Sequence, residues 1–390
     1  MSRRAGGPRR TLLPLAMAGL VAGALMGAAV GVGRSAPSTG GASTAGASLV
    51  PTLGPAGAAS GATSPALGSA FGPGSPGGAG PVEYGLAEPA GTLPGVTSPE
   101  DVAAWSQIRA DVAGSGACWL RSDLDEWLTR AIAAFPWLGS PAPCSTAPGG
   151  PVKVLAILDD QTVWAARRLC PGGSFATAGQ HHGTGFSLDD WQELVSCIAG
   201  QFAGRISAFE IWNEPLLPGS KSGYQDGTPA HYADLLRVAW TAIKAADPRA
   251  TVIALGGSDL YAGGDAVRLA DMRAFTTGLL ALGAARYADA ISLHAYPWGR
   301  ADPSVLASYQ AELRFQAQAW GKPVWITETG TRATDPGSQG AYAQAAYGLF
   351  VGAGVRHIFW FSITDQPDGA FGLRGRPVEA TLRAFALAHP

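Results

Sequence analysis

Ala208 to Pro215 reads Ala-Phe-Glu-Ile-Trp-Asn-Glu-Pro, and Val324 to Gly330 reads Val-Trp-Ile-Thr-Glu-Thr-Gly. Each is a short apolar, β-branched and aromatic run that ends on a glutamate with a chain-breaking residue one or two positions on. That is the signature of a buried parallel strand delivering a carboxylate to its C-terminal end. Two such carboxylates on one rim, Glu214 and Glu328, meet the basic requirement of glycoside hydrolysis. One lends a proton to the leaving oxygen while the other attacks or stabilises the sugar carbon.

Working outward, strand-like runs alternate with helix-like stretches, the pattern of a parallel β/α protein. The runs are Val82–Ala87, Ala117–Arg121, Val152–Leu158, Ile206–Trp212, Thr251–Leu255, Ala290–His294, Val324–Thr327 and His357–Phe361, and eight is the number that closes a (β/α)8 TIM barrel. Between them the helix signals are strong. Ser98-Pro99-Glu100-Asp101 and Ser187 to Asp190 read as N-terminal caps, and Thr228-Pro229 opens a helix that Asp247-Pro248 closes.

The first fifth of the 390 residues is different. Met1 to Arg10 holds four arginines, and Thr11 to Gly33 is uncharged and apolar, as in an export signal or an N-terminal membrane anchor over residues 11–33. Arg9-Arg10-Thr11-Leu12-Leu13 also resembles the twin-arginine export pattern. Ser35 to Val82 contains no Asp, Glu, Lys or Arg and is dominated by small residues and proline, so residues 34–81 are expected to be a disordered tether. Residues 82–390 are then one catalytic-sized domain. A net charge of −2 with no basic stripe gives nucleic acid little to bind, and a neutral polymer is the easier partner.

Four cysteines in an exported chain are disulfide candidates. Cys118 and Cys144 lie near the bottom of the expected barrel, Cys170 and Cys197 nearer the top; of three pairings, Cys118 with Cys144 and Cys170 with Cys197 is the expected one. None sits at metal-ligand spacing, so neither metal nor cofactor is expected.

Strand ends form a roster: Arg121-Ser122-Asp123, Asp159-Asp160, Asn213-Glu214, His294-Ala295-Tyr296-Pro297-Trp298, Glu328 and Trp360-Phe361-Ser362, while the opposite ends read as bland. Asn213-Glu214-Pro215, His294-x-Tyr296, Glu328 and Trp360, in this order, resemble the (β/α)8 retaining glycoside hydrolases of the superfamily that includes family 5 cellulases and family 39 xylosidases. Gly116 to Asp123 and Phe209 to Pro215 lean towards the family 39 style. The resemblance implies that Glu214 is the acid/base and Glu328 the nucleophile, with Asn213 on the sugar's 2-hydroxyl and Arg121 keeping Glu328 ionised. It further implies that His294 and Tyr296 hydrogen-bond around the nucleophile and that Trp360 forms the floor under the bound sugar. Trp298 is expected to be a second sugar platform. Asp160 stands where many relatives offer a histidine, a place that His181-His182 could take.

Bland readings stand beside these. Asn-Glu-Pro is also a turn, Arg121 could pair with a surface acid, and His294 could be a core histidine. Glu210 lies too deep on its strand and reads as a buried structural group; Trp119, Trp212 and Trp325 read as core. The expected function is a monomeric, retaining hydrolase of β-linked oligo- or polysaccharides, secreted or anchored outside the cytoplasmic membrane. The alternatives are a transglycosylase tied to exopolysaccharide processing and a non-catalytic glycan-binding barrel.

Overall fold

A computed structural model describes residues 81–389 apart from 88–92, 146, 148, 160–161, 174–186, 217–227, 263–265, 298–302, 333–334 and 367–368. The expected leader and tether therefore lie outside the described residues, as do Asp160, His181, His182 and Trp298. All described residues belong to the unit Ala66–Pro390.

Eight parallel strands close on themselves in sequence order: β1 (Glu83–Ala87), β2 (Trp119–Asp123), β3 (Lys153–Leu158), β4 (Ala208–Ile211), β5 (Thr251–Ala262), β6 (Ala290–Pro297), β7 (Val324–Thr329) and β8 (His357–Phe361). The described helices are α1 (Pro99–Gly114), α2 (Glu126–Ala134), α3 (Thr162–Leu169), α4 (Leu188–Gln201), α5 (Pro229–Ala246), α6 (Ala266–Ala281), α7 (Pro303–Trp320), α8 (Pro336–Gly352) and α9 (Pro377–Ala388). The chain is a TIM barrel. None of these helices is long and apolar enough to cross a membrane.

The helix starts follow the sequence. Ser98 and Ser187 each accept a hydrogen bond from the backbone N–H three residues on, and Asp101 and Asp190 return one to the cap, so two orphan donors are satisfied at each end. Thr228 caps α5 in front of Pro229, and Asp247 closes it.

Strand alternation builds two cores. Outward residues such as Leu120, Val154, Phe209, Ile211, Ile326, Ile358 and Trp360 pack against the helices. Inward residues Trp119, Leu155, Ala208, Ile253, Ala290, Trp325 and Phe359 fill the barrel. Gly85 makes room for this filling, because a Cβ there would sit 2.2 Å from the Phe359 ring. Both disulfides pair as expected, Cys118 with Cys144 and Cys170 with Cys197.

Two expectations are corrected. The bottom of the barrel is not bland: Glu83, on the first residue of β1, binds Lys153 at 2.9 Å and takes the Trp119 Nε1–H at 2.6 Å. Strand β5 also runs seven residues past its expected end at Leu255, to Ala262. Leu255, Gly256 and Gly257 all have positive φ, and the pairing with β6 slips between Ala254 and Ser258 before resuming. The glycines permit a bulge where the strand was expected to end.

Candidate active site

At the top of the barrel, seven polar side chains from four strands and the turn after β4 converge. Arg121 on β2 is fully buried and reaches inward with all three of its nitrogens. Its Nη1 donates to Glu328 Oε1 at 2.6 Å, its Nε to Glu210 Oε2 at 2.6 Å, and its Nη2 to Asn213 Oδ1 at 2.9 Å. A planar guanidinium is suited to this role, because its fork fixes three partners in one plane.

His294 on β6 lies between the two glutamates. Its Nδ1 is 2.9 Å from Glu214 Oε1 and its Nε2 is 3.4 Å from Glu328 Oε1. A doubly protonated ring donates from Nδ1 to Glu214 and is paired by charge with Glu328. Burial alone would lower the pKa of this imidazole, but the charge of Glu328 and the bond and charge of Glu214 outweigh it, and the pKa is raised. The Tyr296 hydroxyl donates to Glu328 Oε2. Burial alone would raise the pKa of Glu328; the charges of His294 and Arg121, with bonds from Tyr296 and Arg121, outweigh it and hold the carboxyl below its ordinary range.

The backbone carrying Glu214 is strained. Trp212 and Glu214 have φ of 68° and 48°, a region that side chains other than glycine's seldom adopt. The bulge of β5 holds this turn in place. Glu214 N–H donates to Gly256 O at 2.6 Å, and Gly257 N–H donates to Ser292 Oγ at 2.7 Å. A Cβ on Gly257 would lie 1.9 Å from His294 Nε2, so only glycine lets the backbone pass beneath the ring.

The structure thus brings together Glu214, Glu328, Asn213, Arg121, His294 and Tyr296 as one hydrogen-bonded cluster. Carboxylate oxygens of Glu214 and Glu328 come within 4.8 Å of each other. These oxygens and His294 could offer ligands to an ion, but the Arg121 guanidinium already neutralises Glu328 and stands 3.3 Å from His294 Nε2. A metal cation would have to share the space with that fixed charge.

Trp360 does not join them. It is fully buried on the outer face of β8, its ring 6.3 Å from Tyr342 of α8. A floor at Trp360 is therefore a misreading by one residue, which in a strand reverses the face. Its neighbour Phe361 points inward, its ring 6.0 Å from Tyr296 and 5.2 Å from Phe371. Strict alternation from Phe359, in the barrel filling, would have identified Phe361; nothing local in the sequence marks Phe371, which arrives on the loop after β8. Trp119, Trp212 and Trp325 are buried as expected. Asp159 is buried at the end of β3, its N–H donating to Thr162 Oγ1 at 3.0 Å.

No protein-family model matches the chain, and no curated protein matches it in sequence. Solved structures do share the fold. An endo-1,4-β-mannanase from Rhizomucor miehei is similar over 80% of this chain and 96% of its own, at 16% identity and a TM-score of 0.55. An exo-β-1,4-mannosidase from Opitutaceae bacterium strain TAV5 is similar at 18% identity and a TM-score of 0.53, over 79% of this chain and 59% of its own, so the present chain spans only about three-fifths of that enzyme. At such identities the likeness is one of fold, the (β/α)8 barrel.

Proposed function

We propose that this protein is a retaining glycoside hydrolase acting on β-linked oligo- or polysaccharides. The observation that carries the reading is the approach of Glu214 and Glu328 oxygens to within 4.8 Å, with an arginine on one carboxylate and a histidine bridging both. Retaining enzymes hold their carboxyls about 5–5.5 Å apart, whereas inverting ones leave about 6.5–9.5 Å for a water. Two carboxylates that both lacked function would not be gathered on one rim against a buried arginine, since each buried charge carries a desolvation penalty.

In the first step the proton shared between His294 Nδ1 and Glu214 passes through Glu214 to the glycosidic oxygen as that bond breaks, and a Glu328 oxygen bonds to the anomeric carbon. A glycosyl ester forms and the aglycone leaves as an alcohol. In the second step Glu214, now a carboxylate, takes a proton from water; the water oxygen bonds to the anomeric carbon and the ester bond to Glu328 breaks. Two inversions retain the configuration. Arg121 and Tyr296 hold Glu328 in its charged, attacking form, and Asn213, oriented by Arg121, offers its amide to the sugar's 2-hydroxyl. Phe361 supplies the apolar floor that Trp360 does not.

The two named neighbours cleave or trim β-1,4-mannan chains, which favours β-linked hexose polymers as the substrate class. The two disulfides support action in an oxidising compartment outside the cytoplasmic membrane. The test is hydrolysis by the full chain of a panel of aryl β-glycosides and of mannan, xylan and β-glucans, with proton NMR of the first-formed sugar. A retained anomer is expected; an inverted anomer, or full activity in Glu214→Gln, would overturn the reading.

A further inference from the structure

The buried glutamate behind the site has no part in the two-step reaction above. Glu210 is fully buried within the barrel. One oxygen takes the Nε–H of Arg121 at 2.6 Å and the other the hydroxyl of Thr327 at 2.9 Å, so it ties β4 to β2 and β7 beneath the reacting atoms. Apolar side chains of similar volume fill such positions without a desolvation penalty, so a carboxylate here needs a reason.

We propose that Glu210 is a positioning residue that acts through Arg121, dividing the guanidinium's charge between two carboxylates and so keeping Glu328 basic enough to attack the sugar. The inference rests on the glycosidase reading only for the word "attack"; the coupling itself is a property of the cluster. The groups facing Glu328 are Arg121 from β2, His294 and Tyr296 from β6, Glu214 beyond His294, and Glu210 beyond Arg121. From β8 comes Phe361, which is uncharged and packs on Tyr296. Without Glu210, one carboxylate would face an undivided guanidinium together with the imidazolium. Its proton affinity would fall, and nucleophilicity falls with it. Thr327 is on the same strand as Glu328, yet its hydroxyl is turned to Glu210, where its dipole moderates that carboxylate's field.

The full chain labelled with [δ-13C]glutamate provides a readout that does not depend on activity, the Glu328 resonance being identified by its loss in Glu328→Gln. In Glu210→Gln, which keeps the shape and removes the charge, the Glu328 midpoint should fall by roughly one pH unit. The acid limb of kcat/KM should move down with it, and kcat on an aryl β-glycoside should fall about tenfold. Thr327→Val removes only the moderating dipole and should move the midpoint up, by roughly 0.3 pH units. An unchanged or raised midpoint in Glu210→Gln overturns the proposal, because a merely structural Glu210 would leave Glu328 where it is or loosen its bond to Arg121. Should Glu210→Gln not fold, Thr327→Val decides, an absent or downward shift counting against it. If the midpoints move as stated while the wild-type chain cleaves no glycoside, the glycosidase reading fails and the coupling stands.

Discussion

At the top of the barrel Glu328 is held by Arg121 and His294; at the bottom Glu83 is held by Lys153 and His357. Both glutamates have pKa values below the ordinary range. For Glu83, burial pushes the pKa up, but hydrogen bonds from His357, Lys153 and Trp119 and the charge of Lys153 bring it down to about 2. The histidines part company. At the top, two carboxylates outweigh burial and the imidazole is drawn to its charged form, while at the bottom burial outweighs one carboxylate and His357 is lowered. The His357 ring stacks on Trp325 with centroids 3.6 Å apart and planes within 7°. One glutamate against a lysine, sealed by two indoles, is a plug; at the top a second glutamate on the other side of a histidine sets two carboxylates on one imidazole.

The largest expected effect separates the two ends directly. Glu328→Gln should lower kcat/KM on an activated aryl β-glycoside on the order of 10⁴-fold with little change in unfolding midpoint. Glu83→Gln should do the reverse, leaving kcat/KM within about twofold and lowering stability by about 1–3 kcal/mol. A catalytic collapse in Glu83→Gln would remove the distinction.

The disulfide beside the plug comes next. Cys118 and Cys144 are 26 residues apart, and the loop-entropy scale assigns such a closure about 3.5 kcal/mol. The double Cys→Ser variant should therefore lose about that much in a urea titration and keep its kcat. A lost kcat at intact fold would mean that bottom and top are mechanically coupled. Acid sensitivity is a smaller matter. The pKa of Glu83 is depressed from 4.5 to about 2, so the stability it contributes is fully present above pH 4.5 and is lost as pH falls towards 2. Acid melts of Glu83→Gln should lack that part of the decline.

The top was more legible in the sequence than the bottom, for a physical reason. Glu214 stands next to a proline and Glu328 two residues before a glycine, at strand ends where the change of period is visible, and Arg121, Asn213, His294 and Tyr296 follow the same rule of position. Glu83, Lys153 and His357 are each the first residue of a strand, where a charged residue also reads as an ordinary solvent-facing start. What joins them is register around a closed barrel, a relation among strands far apart in sequence. The same holds for Glu210, legible as buried but not as a partner of Arg121 and Thr327. The floor that the resemblance implies at Trp360 falls on the outer face; alternation from Phe359 assigns the inward place to Phe361. The bulge at Leu255 to Gly257 looked like a strand end because glycines mark both, and only pairing with β6 tells them apart.

The finest test concerns the two histidines. His294 has a raised pKa, so the stability it contributes is complete below its ordinary 6.5 and is lost as pH rises through the folded value. The lowered pKa of His357 gives the opposite sign: stability is present above 6.5 and lost as pH falls through the folded value. Imidazole nitrogen shifts should place the two midpoints on either side of a free histidine's. The neighbours then set the size of each departure. Glu214→Gln removes one of the two charges that raise His294 and should bring its midpoint down by about half a pH unit, while Glu83→Gln removes the carboxylate that opposes burial at His357 and should lower that midpoint further by a similar amount. If His294 instead titrates below a free histidine in the wild-type chain, burial has outweighed both carboxylates, the ring bridges them as a neutral tautomer, and the proton between Glu214 and His294 belongs to the glutamate.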